Sequence, residues 1–203
     1  MLNYDINILV LEDDPDDALL LKSKISSHQN FSRIKSWVHK DNLADALLFL
    51  QDSSVDVILS DLGLSESHGL ETFYKLYEAH PEIPIIVLSG FEDKNAIRQA
   101  IKDGAQDYLI KGKIEADTLI RSIVYALQRH EATSKLKLIL ATAQEAFISM
   151  DEKGEIIEWN QEAEVVFGWR KDEVIHKDLG STIIPHIHRA SHLKGMEIGR
   201  AHV

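Results

Sequence analysis

Five short apolar runs, each followed by polar or charged residues, constrain the possible fold of this sequence most strongly. The runs lie at 7–11, 34–38, 55–59, 84–88 and 108–110. Between them apolar residues recur at helical spacing, and Pro15, Pro81 and Gly104 stand where helices should begin or end. Strands that are apolar along their whole length are typical of a parallel sheet covered by helices on both faces. Residues 1–125 are therefore predicted to form a doubly wound α/β domain with a five-stranded parallel sheet.

Composition argues against several classes of partner. The 203 residues carry a formal net charge of −11, which argues against nucleic acid or an anionic membrane as a partner. No Cys is present, so disulfides and thiolate metal sites are excluded. No stretch approaches the roughly 18 apolar residues that a membrane span needs, and the N-terminus lacks the pattern of a signal peptide. We therefore expect a cytoplasmic protein with neither a nucleic-acid nor a membrane partner.

Reactive side chains close four of the five runs. They are Glu12, Asp13 and Asp14 after the first run, Asp61 after the third, Ser89 after the fourth and Lys111 after the fifth. In an open parallel sheet the ligand site lies outside the carboxyl ends of the strands, so these side chains should share one site. Each has an ordinary alternative: the acids could favour a helix N-terminus, Ser89 could cap a strand end, and Lys111 could be a solvated loop residue.

The predicted combination suits phosphoryl transfer onto a carboxylate. Mg²⁺ prefers oxygen ligands and needs only one or two carboxylates beside phosphate oxygens. Asp61 would be the nucleophile, while Lys111 and Ser89 would neutralise or hydrogen-bond the phosphoryl oxygens. Two alternatives remain open, which are a scaffold that binds partners without phosphorylation and a Mg²⁺-dependent phosphatase with an aspartyl nucleophile. The phosphatase is disfavoured because Gly63 occupies the position of the usual general acid.

Four motifs together resemble the receiver domain of two-component response regulators. They are Leu11-Glu12-Asp13-Asp14, Ser60-Asp61-Leu62 with Gly69, Leu88-Ser89-Gly90, and Asp107-Tyr108-Leu109-Ile110-Lys111. The resemblance implies a flavodoxin-like fold and a phosphoryl donor that is a sensor histidine kinase or a phosphotransfer protein. It implies that Asp61 is the phosphoacceptor and that Mg²⁺ is held by Glu12, Asp13, Asp61 and the Gly63 carbonyl. It also implies that Lys111 and Ser89 bind the phosphoryl group and that Ser89 and Tyr108 form a switch pair. Ser65 and Gly112 depart from the family pattern, which usually has proline at both positions.

A long helix is expected to follow the receiver-like region. It begins near 114–117, and its part at 126–138 is predicted to be a helical linker. Apolar residues recur along it but are interrupted by a polar stretch at 128–137, so a homodimer through this helix is a hypothesis.

Residues 139–196 change in character. Alternation at 146–151, a turn at 152–154 and a second run at 156–160 predict a hairpin. Trp159-Asn160 and Phe167-Gly168-Trp169 resemble the first half of a PAS sensor domain. The resemblance implies an α+β segment with two of five strands, so the pocket would be incomplete and its ligand is unknown.

The last seven residues, 197–203, are predicted to be a non-native tail. A coding sequence for them can match the start of a common sequencing-library adapter. We therefore expect the natural protein to continue past about residue 196. Taken together, the sequence predicts a phosphoacceptor that is not itself an enzyme and that relays a change to a PAS or output region.

Overall fold

The computed structural model describes residues 5–26, 34–65, 69–90 and 93–200. The chain divides into two compact units, Met1–Ala132 and Thr133–Val203. Among the described residues, no helix combines the length and the apolar content needed to cross a membrane.

The first unit is built on a five-stranded sheet. Its strands are β1 (Ile6–Leu11), β2 (Ile34–Lys40), β3 (Val57–Asp61), β4 (Ile85–Ser89) and β5 (Asp107–Ile110). Their spatial order is β2-β1-β3-β4-β5, and every neighbouring pair is parallel. The prediction of a flavodoxin-like doubly wound sheet is therefore confirmed. The order reverses between β1 and β3, and at such a switch point a crevice opens beyond the carboxyl ends of the strands.

Within the described ranges of this unit, five α-helices cover the two faces of the sheet. They are α1 (Pro15–Ser26), α2 (Leu43–Asp52), α3 (Glu71–Ala79), α4 (Lys94–Lys102) and α5 (Ala116–Thr142). Alternate residues of β1 face opposite sides: Ile8 packs with α1 and α5, whereas Leu9 packs with α2, α3 and α4. Both faces of the sheet are thus buried, which is why the strands are apolar throughout. Each fully buried Val, Ile or Leu contributes roughly 1.5–3 kcal/mol to folding.

Helix boundaries follow local chemistry. The side chains of Asn42 and Asp93 accept hydrogen bonds from backbone N–H groups at the starts of α2 and α4. Gly69 has a left-handed φ of 64°, so α3 begins after it, at Glu71. Gly104 ends α4 with a φ of 113°, and a Cβ there would lie 2.9 Å from the Tyr77 ring.

The described residues of the second unit contain the end of α5, a hairpin and four further helices. The strands β6 (Ile148–Met150) and β7 (Ile156–Trp159) are antiparallel, with a register shift between Ser149 and Met150. The helices are α6 (Gln161–Phe167), α7 (Lys171–Val174), α8 (Leu179–Ile183) and α9 (His186–Arg200). Ile156 and Trp159 are three residues apart yet both buried in one core, because the extra residue at the shift changes the alternation of β7.

Asn160 holds the hairpin and α6 together. Its Oδ1 accepts hydrogen bonds from the backbone N–H groups of Phe147 (2.8 Å) and Ala163 (3.0 Å). Its Nδ2 donates to the carbonyls of Leu140 (3.0 Å) and Glu145 (2.9 Å). One buried amide therefore satisfies four backbone groups, which explains why Asn stands at this N-cap.

Candidate functional site

The candidate site lies at the carboxyl edge of the five-stranded sheet. Glu12 and Asp13 follow β1, Asp61 is the last residue of β3, and Lys111 follows β5. The structure brings one carboxylate oxygen from each of the three acids to within 4.8 Å of one another. Glu12 is fully buried and Asp61 is 3% exposed. Residues that are far apart in sequence therefore meet because β1 and β3 are adjacent in the sheet.

Lys111 reaches into this carboxylate group. Its Nζ donates hydrogen bonds to Asp61 Oδ2 at 2.8 Å and to Asp17 Oδ2 at 3.0 Å. Glu12 Oε2 lies 2.6 Å from the same Nζ but accepts no hydrogen bond of suitable angle, so we describe that contact as an ion pair. Lys111 thus partly balances the negative charge of three acids.

The crowding of charged groups changes the pKa values of two of them. Burial raises the pKa of Glu12 above its ordinary value, and the negative charge of Asp61 adds to the effect, although Lys111 opposes it. Burial alone would lower the pKa of Lys111, but its interactions with the carboxylates of Asp61, Glu12 and Asp17 outweigh burial and raise that pKa. The lysine is therefore a fixed positive charge at any physiological pH.

The residues present fit a divalent cation such as Mg²⁺. Asp61 Oδ1 is buried and accepts no hydrogen bond from the described residues. A buried carboxylate oxygen without a partner is costly unless a cation satisfies it. Hard oxygen donors from Glu12, Asp13 and Asp61 are the ligands that Mg²⁺ prefers.

Two neighbouring residues fit tightly around the acids. A Cβ at Gly63 would lie 3.2 Å from Asp61 Oδ2, so a larger residue would press on that carboxylate. The Ser65 backbone N–H donates to Asp13 Oδ2 at 2.9 Å. Proline, which is usual in the family at this position, could not make that bond. The Gly63 carbonyl as a metal ligand stays a prediction.

Ser89 and Tyr108 lie on β4 and β5 at the same end of the sheet. Ser89 is buried and is one residue beyond Leu88, the register partner of Asp61. Tyr108 pairs with Val87 and packs, half-buried, against the core on the α2–α4 face. Because Val87 and Ser89 are two residues apart on a strand, Ser89 and Tyr108 face the same side. A switch pair of these two residues stays a prediction.

The run of acids after β1 separates into different roles. Asp14 caps α1, because its Oδ1 accepts a hydrogen bond from Asp16 N at 2.9 Å. The ordinary helix-cap alternative therefore holds for Asp14, whereas Glu12 and Asp13 lie in the carboxylate group. Asp17 was not among the predicted site residues, although it bonds Lys111 directly. Its contact depends on how α1 packs, which no sequence motif signals.

The second unit has a groove of about 530 Å³ beside Trp159. Two lysines and two glutamates line it: Lys137, Glu158, Glu164 and Lys171. Their charges balance, and Lys171 Nζ lies 3.5 Å from Glu158 Oε2. The groove therefore favours no particular ligand charge.

Comparison with known families gives two matches in sequence order. The family described as "Response regulator receiver domain" matches residues 8–124, and the PAS fold matches residues 134–202. The first match contains every predicted site residue.

Curated relatives match about two thirds of the chain. "Transcriptional regulatory protein ZraR" of Salmonella typhimurium is 28% identical over 137 residues, which are 66% of this chain and 29% of the relative. "Transcriptional regulatory protein KdpE" of Staphylococcus aureus is 34% identical over 131 residues, which are 63% of this chain and 53% of the relative. The chain thus spans only part of the length of these proteins.

Solved structures share the fold. A response regulator receiver domain protein from Clostridium thermocellum covers 63% of this chain and 98% of its own, with a TM-score of 0.54 and 23% identity. NtrX from Brucella abortus covers 72% of this chain and 32% of its own, with a TM-score of 0.58 and 23% identity.

Proposed function

Because the chain belongs to the response regulator receiver domain family, we propose that Asp61 accepts a phosphoryl group from the phosphohistidine of a sensor histidine kinase or phosphotransfer protein. The observation that carries the proposal is the 2.8 Å contact between Lys111 Nζ and Asp61 Oδ2 beside two further acids. A nucleophile, a cation-binding group and a fixed positive charge are thereby present in one volume.

The transfer proceeds by in-line displacement at phosphorus. An oxygen of the Asp61 carboxylate forms the new O–P bond while the N–P bond to the donor imidazole breaks, and its electron pair returns to the ring nitrogen. Lys111 neutralises charge on the phosphoryl oxygens, and the Ser89 hydroxyl donates to one of them. Glu12, Asp13, Asp61 and the Gly63 carbonyl would hold Mg²⁺, which when bound supplies further charge neutralisation.

The signal then leaves through the sheet and the long helix. Ser89 moves toward the phosphoryl group and Tyr108 turns inward behind it, which shifts a two-state equilibrium. The change passes along α5 to the PAS region and to whatever output the whole protein carries. The segment acts in the cytoplasm, as a homodimer through α5, with no nucleic-acid or membrane contact of its own.

Two other functions are less well supported. A phosphorylation-independent scaffold has no need of Lys111 bonded to Asp61, yet that bond is present. A phosphatase needs a general acid near the nucleophile, and Gly63 has no side chain to serve as one. The chain is therefore proposed to turn over no substrate beyond its own aspartyl phosphate.

Incubation with acetyl phosphate and Mg²⁺ tests the proposal. The wild-type chain should gain one phosphoryl group on Asp61, detected by mass spectrometry of the intact protein and its peptides. Asp61→Asn should remain unlabelled with an unchanged circular dichroism spectrum. Lys111→Ala should be labelled about tenfold more slowly or worse, because the phosphoryl oxygens lose their balancing charge.

Three results would contradict parts of this scheme. Label on Asp13 or Asp14 in the Asp61→Asn variant would show that the acceptor is wrong. Continuous release of phosphate from a monoester would indicate a phosphatase. Absence of any adduct on the wild-type chain would favour the scaffold.

A further inference from the structure

Asp17 is a third acidic partner of Lys111 and lies outside the predicted site. It is the third residue of α1, and its Oδ2 accepts a hydrogen bond from Lys111 Nζ at 3.0 Å. Asp61 and Glu12 lie 2.8 and 2.6 Å from the same nitrogen. A lysine ammonium has three N–H donors and no more. In the unphosphorylated protein, Nζ donates to two of these carboxylates and forms an ion pair with the third, so carboxylates surround the ammonium.

A phosphoryl group on Asp61 changes this balance. Its oxygens need a donor from Lys111, so one of the three present partners must give way. Glu12 is fully buried, and a released carboxylate there would lose both its counter-charge and access to water. Asp61 carries the phosphoryl group itself. The Asp17 side chain is 42% exposed, so water can take over its bond at little cost.

We infer that Asp17 is a positioning residue that occupies one donor of Lys111 in the resting state and yields it to the phosphoryl group. The inference rests on the proposed phosphorylation of Asp61. It gives Asp17 a restraining role, because the incoming group must displace a carboxylate and approach an additional negative charge.

Space for this exchange is present beside Lys111. A cavity of about 160 Å³ lies between α1 and the turn after β5, and Asp17, Leu20, Lys111 and Gly112 contribute to its lining. Nothing lies within 4 Å of the position that a Cβ on Gly112 would take. A carboxylate released from Lys111 can therefore rotate without moving the backbone.

The experiment compares labelling rates of four chains with acetyl phosphate and Mg²⁺. In each, an Asp61 oxygen forms the O–P bond while acetate leaves with the electron pair of the broken bond. Asp17→Asn should be labelled about 1.4- to fivefold faster than wild type, because an exposed ion pair is weak and its loss frees one donor of Lys111. Asp17→Glu restores the charge and should be labelled at nearly the wild-type rate.

Asp16→Asn is the matched control. Asp16 is exposed on the preceding position of α1, and its removal changes the net charge equally. It should leave the rate unchanged if contact with Lys111 is what matters. Equal acceleration in Asp16→Asn and Asp17→Asn, or an unchanged or slower rate in Asp17→Asn, would overturn the role of Asp17.

A second readout needs neither metal nor phosphoryl donor. The side-chain ¹⁵N signal of Lys111, identified by its loss in Lys111→Arg, should shift in metal-free Asp17→Asn and stay in place in Asp16→Asn. An unmoved signal in Asp17→Asn would show that the contact is absent. If wild type gains no label on Asp61, the proposed function is wrong and this inference is wrong with it. If wild type and Asp17→Asn are both labelled on Asp61 at equal rates, only the inference about Asp17 is wrong.

Discussion

At the scale of single residues, the site holds more negative charge than its one lysine balances. Glu12 is the clearest case, because it is fully buried beside Asp61 and its pKa is raised mainly by that burial. An acid whose pKa is higher in the folded protein binds its proton more tightly when folded. Its contribution to stability is therefore present at low pH and is lost as the pH rises through the folded pKa.

Glu12→Gln should accordingly stabilise the metal-free protein at pH 7. The expected gain in the free energy of unfolding is about 0.5–1 kcal/mol, because the variant removes a buried charge that folding disfavours. The difference should vanish at about pH 3, well below the ordinary pKa of 4.5, where Glu12 is protonated in both the folded and the unfolded state. With Mg²⁺ bound, wild type should be more stable than the variant, because the variant lacks one metal ligand. Denaturant unfolding at both pH values measures this, and a variant less stable than wild type at pH 7 without metal would show that pairing with Lys111 dominates.

The sequence specifies part of this site and leaves part of it open. Glu12, Asp13, Asp61 and Lys111 could be predicted because each follows an apolar run, and parallel strands end at one edge. Asp17 could not, since its distance from Lys111 depends on the rotation and packing of α1. For Asp14 the sequence did not decide between a role in the site and a helix cap. In the structure its Oδ1 accepts a hydrogen bond from the backbone at the start of α1, so it is a cap.

At the scale of elements, α5 runs from Ala116 to Thr142 without a break at the polar stretch. Leu136 and Ile139 are three residues apart on it and are 56% and 63% exposed. Large apolar side chains at this spacing form the seam of a two-stranded coil. The helix itself could be predicted from periodicity. The register shift in the hairpin and the four bonds of Asn160 could not, because both depend on contacts between separate segments.

A pair of substitutions on this helix tests the proposed homodimer. Ile139→Lys should convert the dimer to a monomer, because a charge in an apolar seam is disfavoured. Leu138→Lys is the control, since Leu138 is also 63% exposed but points about 100° away around the helix. It should leave the dimer intact. Sedimentation equilibrium gives the masses, and a monomeric wild type or equal effects of both variants would contradict a seam at Ile139.

At the scale of the whole molecule, the chain consists of two compact units with different chemistry. The carboxylate group belongs entirely to the first unit, whereas the second contains a small core around Trp159. The order of the two family matches could be predicted from the motifs. A helical linker between them was also predicted, but the exact point of division between Ala132 and Thr133 could not be, because one continuous helix supplies residues to both units.

Magnesium should therefore stabilise one unit and not the other. A ligand present at 100 times its dissociation constant adds about 2.7 kcal/mol to the stability of the state that binds it. For a unit of this size that corresponds to a rise in Tm of roughly 10 °C.

The three tryptophans allow the units to be followed separately, since Trp37 lies on β2 and Trp159 and Trp169 lie in the second unit. In Trp37→Phe, fluorescence reports the second unit, and its transition should not move with Mg²⁺. Circular dichroism of the same sample should show the shift of the first unit, and Asp13→Asn should reduce it. A fluorescence transition in Trp37→Phe that rises together with the circular dichroism would show that the units unfold as one.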